Sequence, residues 1–184
     1  MTGTDGIKVG WTGVEAGAGG GTHEHCQVRE VASGVEVTGS IQGGIGECHY
    51  ALRADRAWVF HRLDLRLGEQ HLQVRREGGR WFVNGSEDPE LADAREVDLS
   101  VSPLSNTLPI RRLGLEIGQS ADIVTAYIDV PELTVVPDPQ RYTRTGEREY
   151  LYESRDSDFS RTITVDEHGL VVEYPGLFTR ARQP

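Results

Sequence analysis

From His23 to Tyr174, apolar and polar positions alternate with a period of two, broken at short intervals by glycine, proline and asparagine. That rhythm predicts strands joined by tight turns. His23, His25, Gln27, Arg29 and Val31 alternate with Glu24, Cys26, Val28 and Glu30, which turns Cys26 and Val28 inward. Ser33-Gly34 leads into a second strand with Val35, Val37, Gly39 and Ile41 on one face, ending at Gly43-Gly44, and the two strands read as a hairpin. Glu47 to Asp55 and Ala57 to Leu67 make the strongest strand pair, and a slip of phase near Arg62 and Leu63 predicts a bulge or bend. His61, Arg62, Asp64 and Arg66 read as its water-facing wall. Gly78-Gly79 and Asn84-Gly85 are hairpin signals, and Glu87 to Arg95, with Pro89, predicts one short helical turn.

The stretch from Val97 to Leu115 is the densest in recognition chemistry. Val97, Leu99 and Val101 share a strand face opposite Asp98, Ser100 and Ser102, and Pro103 ends the strand. Thr107 is placed to cap a single helical turn that accepts Pro109 near its start and closes before Gly114. Arg111 and Arg112 ride on that turn beside Ser105 and Asn106, two guanidiniums able to fork onto carboxylate, phosphate or sugar oxygens. The plainer alternative pairs them with Asp98 and Glu116 as a pin for the turn. Ile123 to Asp129 predicts a strand covered on both faces, and Pro131, Pro137 and Pro139 bracket Leu133 to Val136 as a short edge piece. Strands follow at Tyr150 to Tyr152, Phe159 to Val165 and Leu170 to Tyr174, with Leu177 to Arg182 as a terminal turn. No segment keeps a 3.6-residue apolar period beyond about ten residues. The sum is a mainly β chain whose antiparallel sheet curls into a barrel or roll, with one or two short helical turns.

Residues 1–22 are dominated by glycine and read as a lead-in, leaving 23–184 as a single β domain. Gly19-Gly20-Gly21 lacks the Lys-Ser/Thr of a phosphate loop and the spacing of a dinucleotide fingerprint. The net charge of −10 lacks the basic footprint of a nucleic-acid or anionic-membrane binder. No apolar run reaches the length of a membrane span and no secretory signal is seen, so the expected setting is the cytoplasm, with Cys26 and Cys48 as free thiols. His23 and His25 share a face opposite Cys26, and Cys48 and His49 diverge likewise, which speaks against a shared metal site; no cofactor motif is present. No G-x-S-x-G elbow occurs, and the many carboxylate pairs reflect abundance rather than arrangement.

The segment Ser102-Pro103-Leu104-Ser105-Asn106-Thr107-Leu108-Pro109-Ile110-Arg111-Arg112-Leu113, preceded by Val97-Asp98-Leu99, closely resembles the signature of a bacterial family described as putative glycolipid-binding. The likeness extends to Glu24-His25, Asp55 to Trp58, Tyr127, Gln140-Arg141-Tyr142-Thr143, Tyr150-Leu151-Tyr152, Asp166-Glu167-His168-Gly169-Leu170-Val171 and Tyr174-Pro175. Ser105 stands where the family pattern more often has Thr, and Arg95-Glu96 where a Cys and a small residue are expected. The resemblance implies a spiral β-roll with some likeness to bacterial carriers that hold lipid in a curved half-barrel, and a glycolipid or other amphiphilic ligand.

The leading expectation is therefore a non-enzymatic binding module. Arg111, Arg112, Asn106 and Asp98 would hold a polar or anionic head group at the mouth of a curved cavity, with Gln140, Tyr142 and Tyr174 on the rim. The alternatives are an enzyme of glycolipid or sugar metabolism with Asp98 as general base, and a scaffold that uses a sheet edge and has no cavity.

Overall fold

The computed structural model describes residues 6–14 and 21–181. Its strands are β1 (Ile7–Gly13), β2 (His23–Val31), β3 (Gly34–Gly43), β4 (Gly46–Ala54), β5 (Phe60–Leu67), β6 (Gln70–Glu77), β7 (Arg80–Val83), β8 (Ser86–Glu87), β9 (Glu96–Leu99), β10 (Ser120–Asp129), β11 (Thr134–Gly146), β12 (Glu149–Ser154), β13 (Ser160–Val165), β14 (Val171–Tyr174) and β15 (Phe178–Arg180). A 3₁₀ turn occupies Pro89–Leu91, and the α-helix, α1, is Leu104–Leu113.

The strands form one curled sheet in the order β8-β7-β6-β5-β4-β3-β2-β1-β15-β14-β13-β12-β11-β10-β9. Every neighbouring pair is antiparallel except β9 with β10, which runs parallel. The edges β8 and β9 do not pair with each other, so the roll stays open. The segment between them bridges the gap: Leu91 and Ala94 are fully buried, and Trp81 Nε1 donates to the Ala94 carbonyl at 3.2 Å while its ring stacks on Phe60.

Inward and outward positions follow the period of two. Cys26 and Val28 are buried, His61, Arg62 and Arg66 are exposed, and His61 is the extra residue of a bulge where the β4–β5 register shifts between Arg53/Arg62 and Ala54/Phe60.

Three strands differ from the reading of the sequence. Ile7–Gly13, taken with the glycine-rich lead-in, is an interior strand between β2 and β15; Val9 and Trp11 alternate with Lys8 and Gly10, an alternation that the surrounding glycines hide. Of the Gly19-Gly20-Gly21 motif, the first two residues lie outside the described residues. Phe178–Arg180, expected as a terminal turn, is the strand that pairs with β1 and joins the two halves of the sheet. Leu133 to Val136, expected as a short edge piece, leads into a thirteen-residue strand, Thr134–Gly146, between β10 and β12. Pro137 and Pro139 lie past the last pair with β12, Gln140 with Ser154, where one side of β11 needs no ladder donors.

The single helical turn expected around Pro109 is a ten-residue helix. Pro103 rather than Thr107 stands at its N-cap, Pro109 lies inside it, and Gly114 closes it in the left-handed conformation. Every residue from Leu104 to Ile110 is buried, so the helix plugs the concave side of the sheet instead of lining its mouth. It separates two apolar clusters. One holds Trp11, Trp58, Phe60, Trp81 and the leucines of β4 to β6; the other holds Ile110, Tyr142, Tyr150, Tyr152, Tyr174 and Phe178.

Candidate functional site

A helix buried along its first two turns must find a partner for each polar side chain, because an unpaired buried polar group costs on the order of 1–3 kcal/mol. In α1 each is tied to a different part of the roll. Ser105 Oγ accepts from the Leu99 amide at 3.0 Å and lies 2.8 Å from Asp98 Oδ1. Asn106 Nδ2 donates to the Tyr142 hydroxyl at 2.8 Å, and Thr107 Oγ1 donates to the Gly169 carbonyl at 3.0 Å. The order Ser-Asn-Thr is thus a set of three addresses: β9, β11 and the 166–170 loop.

The Asp98 side of the helix gathers the polar cluster. Gln140 Nε2 donates to Asp98 Oδ2 at 2.8 Å and Asp138 Oδ2 at 2.6 Å, with Thr125 Oγ1 at 3.2 Å. Gln140 Oε1 is buried with no hydrogen-bond partner. Tyr142 packs edge-on against Tyr152 at 5.5 Å, and Tyr152 touches both Phe159 and Tyr174. Burial pushes the Asp98 carboxyl above the usual carboxylate range against the pull of its bonds from Gln140 and Ser105. Asp138 is pushed up to about 6, by burial first and then by the charges of Asp98 and Asp156. Tyr127, Tyr142, Tyr152 and Tyr174 are all raised by burial and by the Asp98 charge. Phe159, Asp138 and Tyr127 are only partly buried and form the open side of the cluster.

The arginines leave this cluster. Arg112 grips the fully buried Glu96 with two bonds, Nε at 2.6 Å and Nη2 at 2.9 Å, and not Asp98 or Glu116. Burial raises the Glu96 carboxyl and the guanidinium opposes that rise. Arg111 emerges on the other side of the helix. Its guanidinium lies 4.9 Å above the Trp58 ring, donates to the His168 carbonyl at 3.1 Å and reaches Glu30 at 3.4 Å. Two aspartate turns present these partners. Asp55 Oδ1 accepts from the Ala57 and Val59 amides and holds Trp58 at φ 62°, a left-handed conformation that a tryptophan rarely adopts. Asp166 Oδ1 likewise accepts from the His168 and Leu170 amides. Gly169, at φ 76°, leaves room for Arg111, whose Cδ stands 3.1 Å from where a β-carbon would be. The pocket rimmed by Arg111, Glu30 and His168 has Ile7, Val28, Trp58 and Leu170 as its apolar wall and encloses about 200 Å³.

Of the seven sequence-predicted residues, five come together: Asp98 with Gln140, Asn106 with Tyr142, and Tyr174 through Tyr152. Arg111 and Arg112 do not join them. Asp138 and Phe159 are absent from the sequence reading of the site, while Tyr127 and Tyr152 stand in it among the positions of family likeness. Asp138 shares a strand face with Gln140 and Tyr142 by the period of two, a signal hidden by the prolines on either side of it.

Elsewhere, Glu24 is buried between Tyr50, whose hydroxyl donates at 2.6 Å, and Ser102, whose hydroxyl donates at 2.7 Å. Tyr50 lies over Gly39, where a β-carbon would come within 2.3 Å of its ring. Burial pushes Glu24 up to about 7 and both cysteine thiols upward. The thiols of Cys26 and Cys48 face the interior while His25 and His49 face the opposite side, on the rim of a shallow outer groove of about 770 Å³. Among the described residues no helix is long and apolar enough to cross a membrane.

Residues 9–180 match the model of a family described as putative glycolipid-binding. The fold is also similar to the crystal structure of a DUF1089 family protein from Pseudomonas aeruginosa, with 32% sequence identity, a TM-score of 0.73, and coverage of 86% of this chain and 92% of that one. No curated protein matches. A match that spans nearly all of the described chain, together with the roll and its plugging helix, makes this protein a member of the putative glycolipid-binding family.

Proposed function

We propose that this chain is a non-enzymatic binding protein for an amphiphile with a sugar-bearing head, and that the head docks on the polar cluster of Asp98, Asp138 and Gln140. One observation carries the reading: the Gln140 amide, whose nitrogen donates to both Asp98 and Asp138, keeps a buried oxygen without a partner, in a cluster that Tyr142, Tyr152 and Tyr174 border. Sugar hydroxyls supply donors to such acceptors, and the C–H faces of a sugar ring pack on aromatic rings. Val136 shares the strand face of Asp138 and Gln140, lies across from Tyr127 and is about half exposed, which offers the apolar part of the ligand a place beside the head. The Arg111 pocket is small beside the roughly 300–1,000 Å³ of sites that enclose a whole ligand, so it suits one end of an amphiphile at most. The unpaired thiols of Cys26 and Cys48 fit a reducing compartment such as the cytoplasm.

A second reading, an enzyme of sugar or glycolipid metabolism, draws on the upward displacement of Asp98 and Asp138, which suits acid–base work. Against it, the Gln140 amide stands between the two carboxylates.

The test is native mass spectrometry of protein purified from its own host, followed by organic extraction of whatever dissociates. The reading expects an amphiphile of defined mass that is lost from an Asp98→Asn, Tyr152→Ala double variant. A clean mass without ligand that stays unchanged on adding host lipid extract counts against it.

A further inference from the structure

Several acids of this chain are answered by arginine: Asp64 by Arg62, Glu96 by Arg112, Asp122 by Arg141 and Asp166 by Arg180. Asp98 and Asp138 are not, and the two share one amide. Both are held by neutral groups alone, the Gln140 amide and, for Asp98, the Ser105 hydroxyl, and among the described residues no cation helps to keep either charged. Asp156, whose carboxylate accepts from Ser154, adds a third negative charge at the open side. The Gln140 carbonyl is a further acceptor with nothing to accept.

Around these acceptors stand the rings of Tyr127, Tyr152, Tyr174 and Phe159, and ring faces attract cations. Phe159 already carries one at the rim, the Arg161 guanidinium 4.7 Å from its centroid. Carboxylates without a counter-ion, an orphaned acceptor and aromatic walls together suit a group that only donates and is positively charged. An ammonium, with three donors and no acceptor, is such a group. A metal ion suits the place less well, since among the described residues no three His, Cys, Asp or Glu converge as on a metal.

We propose that the head bound at the Asp98–Asp138–Gln140 cluster carries an organic ammonium, as in an amino sugar or an alkylamine. This rests on the reading of the cluster as the ligand site and reverses the sign expected from the arginines of the sequence motif, which the fold directs elsewhere.

The experiment is calorimetric titration at constant ionic strength with two octyl glycosides below their micelle concentrations, one headed by glucose and one by glucosamine with a free amine. The amine form is expected to bind about tenfold or more tightly, the worth of one charge-assisted bond. N-acetylation of the amine should erase the difference. Asp138→Asn, at a partly exposed position and checked for an unchanged near-ultraviolet dichroism spectrum, should erase most of it by weakening the amine form far more than the glucose form. Equal binding of both glycosides by the unaltered protein overturns the ammonium inference and leaves the sugar-head reading standing. Binding of neither overturns both. A preference for the amine that survives in both Asp138→Asn and Asp98→Asn places the charge recognition elsewhere and overturns the inference.

Discussion

Glu24 offers the cleanest test of the energetics, because one buried carboxyl is displaced far and its surroundings are simple. Its Oε1 receives hydrogen bonds from Tyr50 and Ser102, its Oε2 has none, and burial moves its ionisation from the usual 4.5 to about 7. The unfolded chain therefore releases this proton near pH 4.5 while the folded chain keeps it to about pH 7. The contribution is fully present below 4.5 and is lost as pH rises to 7. At 1.36 kcal/mol per pH unit the loss is about 3 kcal/mol, of which about 2 kcal/mol falls above pH 5.5. Glu24→Gln keeps the carbonyl that accepts from Tyr50 and Ser102 and cannot ionise. It buries an extra amide N–H, at a cost of about 1 kcal/mol. The variant should thus be comparable to or slightly less stable than the native chain at pH 5.5, and more stable by 1–2 kcal/mol, roughly, at pH 8.5. Urea unfolding followed by tryptophan fluorescence in reducing buffer, over pH 5.5–8.5, avoids the isoelectric region near 5.0 and reads this directly. Taking the difference between the two proteins cancels Asp98, Asp138 and Glu96, which are displaced in the same direction. Stability curves that stay parallel across this range refute the reasoning.

Removing the two arginines of the motif should give opposite phenotypes. Arg112→Ala strands the buried Glu96 and should cost about 3–5 kcal/mol in urea unfolding, whereas Arg111→Ala, which gives up a half-exposed ring contact and one carbonyl bond, should cost about 1 kcal/mol. Equal losses would show that the two guanidiniums are not partitioned as described. Gly39→Ala drives a methyl into the Tyr50 ring and should destabilise by roughly 1–3 kcal/mol, with a change in near-ultraviolet dichroism as Tyr50 leaves Glu24; an unchanged spectrum with native stability would contradict the packing. Gly169→Ala, at a positive φ and against Arg111, should destabilise by about 1–2 kcal/mol and quench or shift Trp58 emission, while Gly78→Ala, in an open hairpin, should leave that emission alone.

Much of the roll was legible because its outward and inward positions alternate cleanly from β2 to β6, and the glycine pairs mark the hairpins. What misled was composition at the margins. Glycines concealed the alternation of Ile7, Val9 and Trp11, and prolines at 137 and 139 made an interior strand look like an edge. The length of α1 was beyond local rules, since Pro109 and three short polar residues argue against a helix until their partners on β9, β11 and the 166–170 loop are known. The same long-range partners explain the site. Sequence proximity grouped Arg111 and Arg112 with Asn106, but Asn106 faces one side of α1, while Arg111 is turned to Trp58 and Arg112 to Glu96. Gln140, Tyr142 and Tyr174 were found through the family resemblance, and no spacing rule reaches across the forty or so residues that separate Asp98 from Gln140.

The most direct measurement of the ligand-site claim is a crystal structure of the protein soaked with octyl glucosaminide. The account predicts density for the sugar ring within hydrogen-bonding distance of Asp138 and Gln140 Oε1, stacked against Tyr152 or Phe159, with the alkyl chain toward Val136. A sugar ring bound instead in the Arg111–Trp58 pocket or the outer groove of β1 to β4, with the Asp98 cluster unchanged, would contradict it.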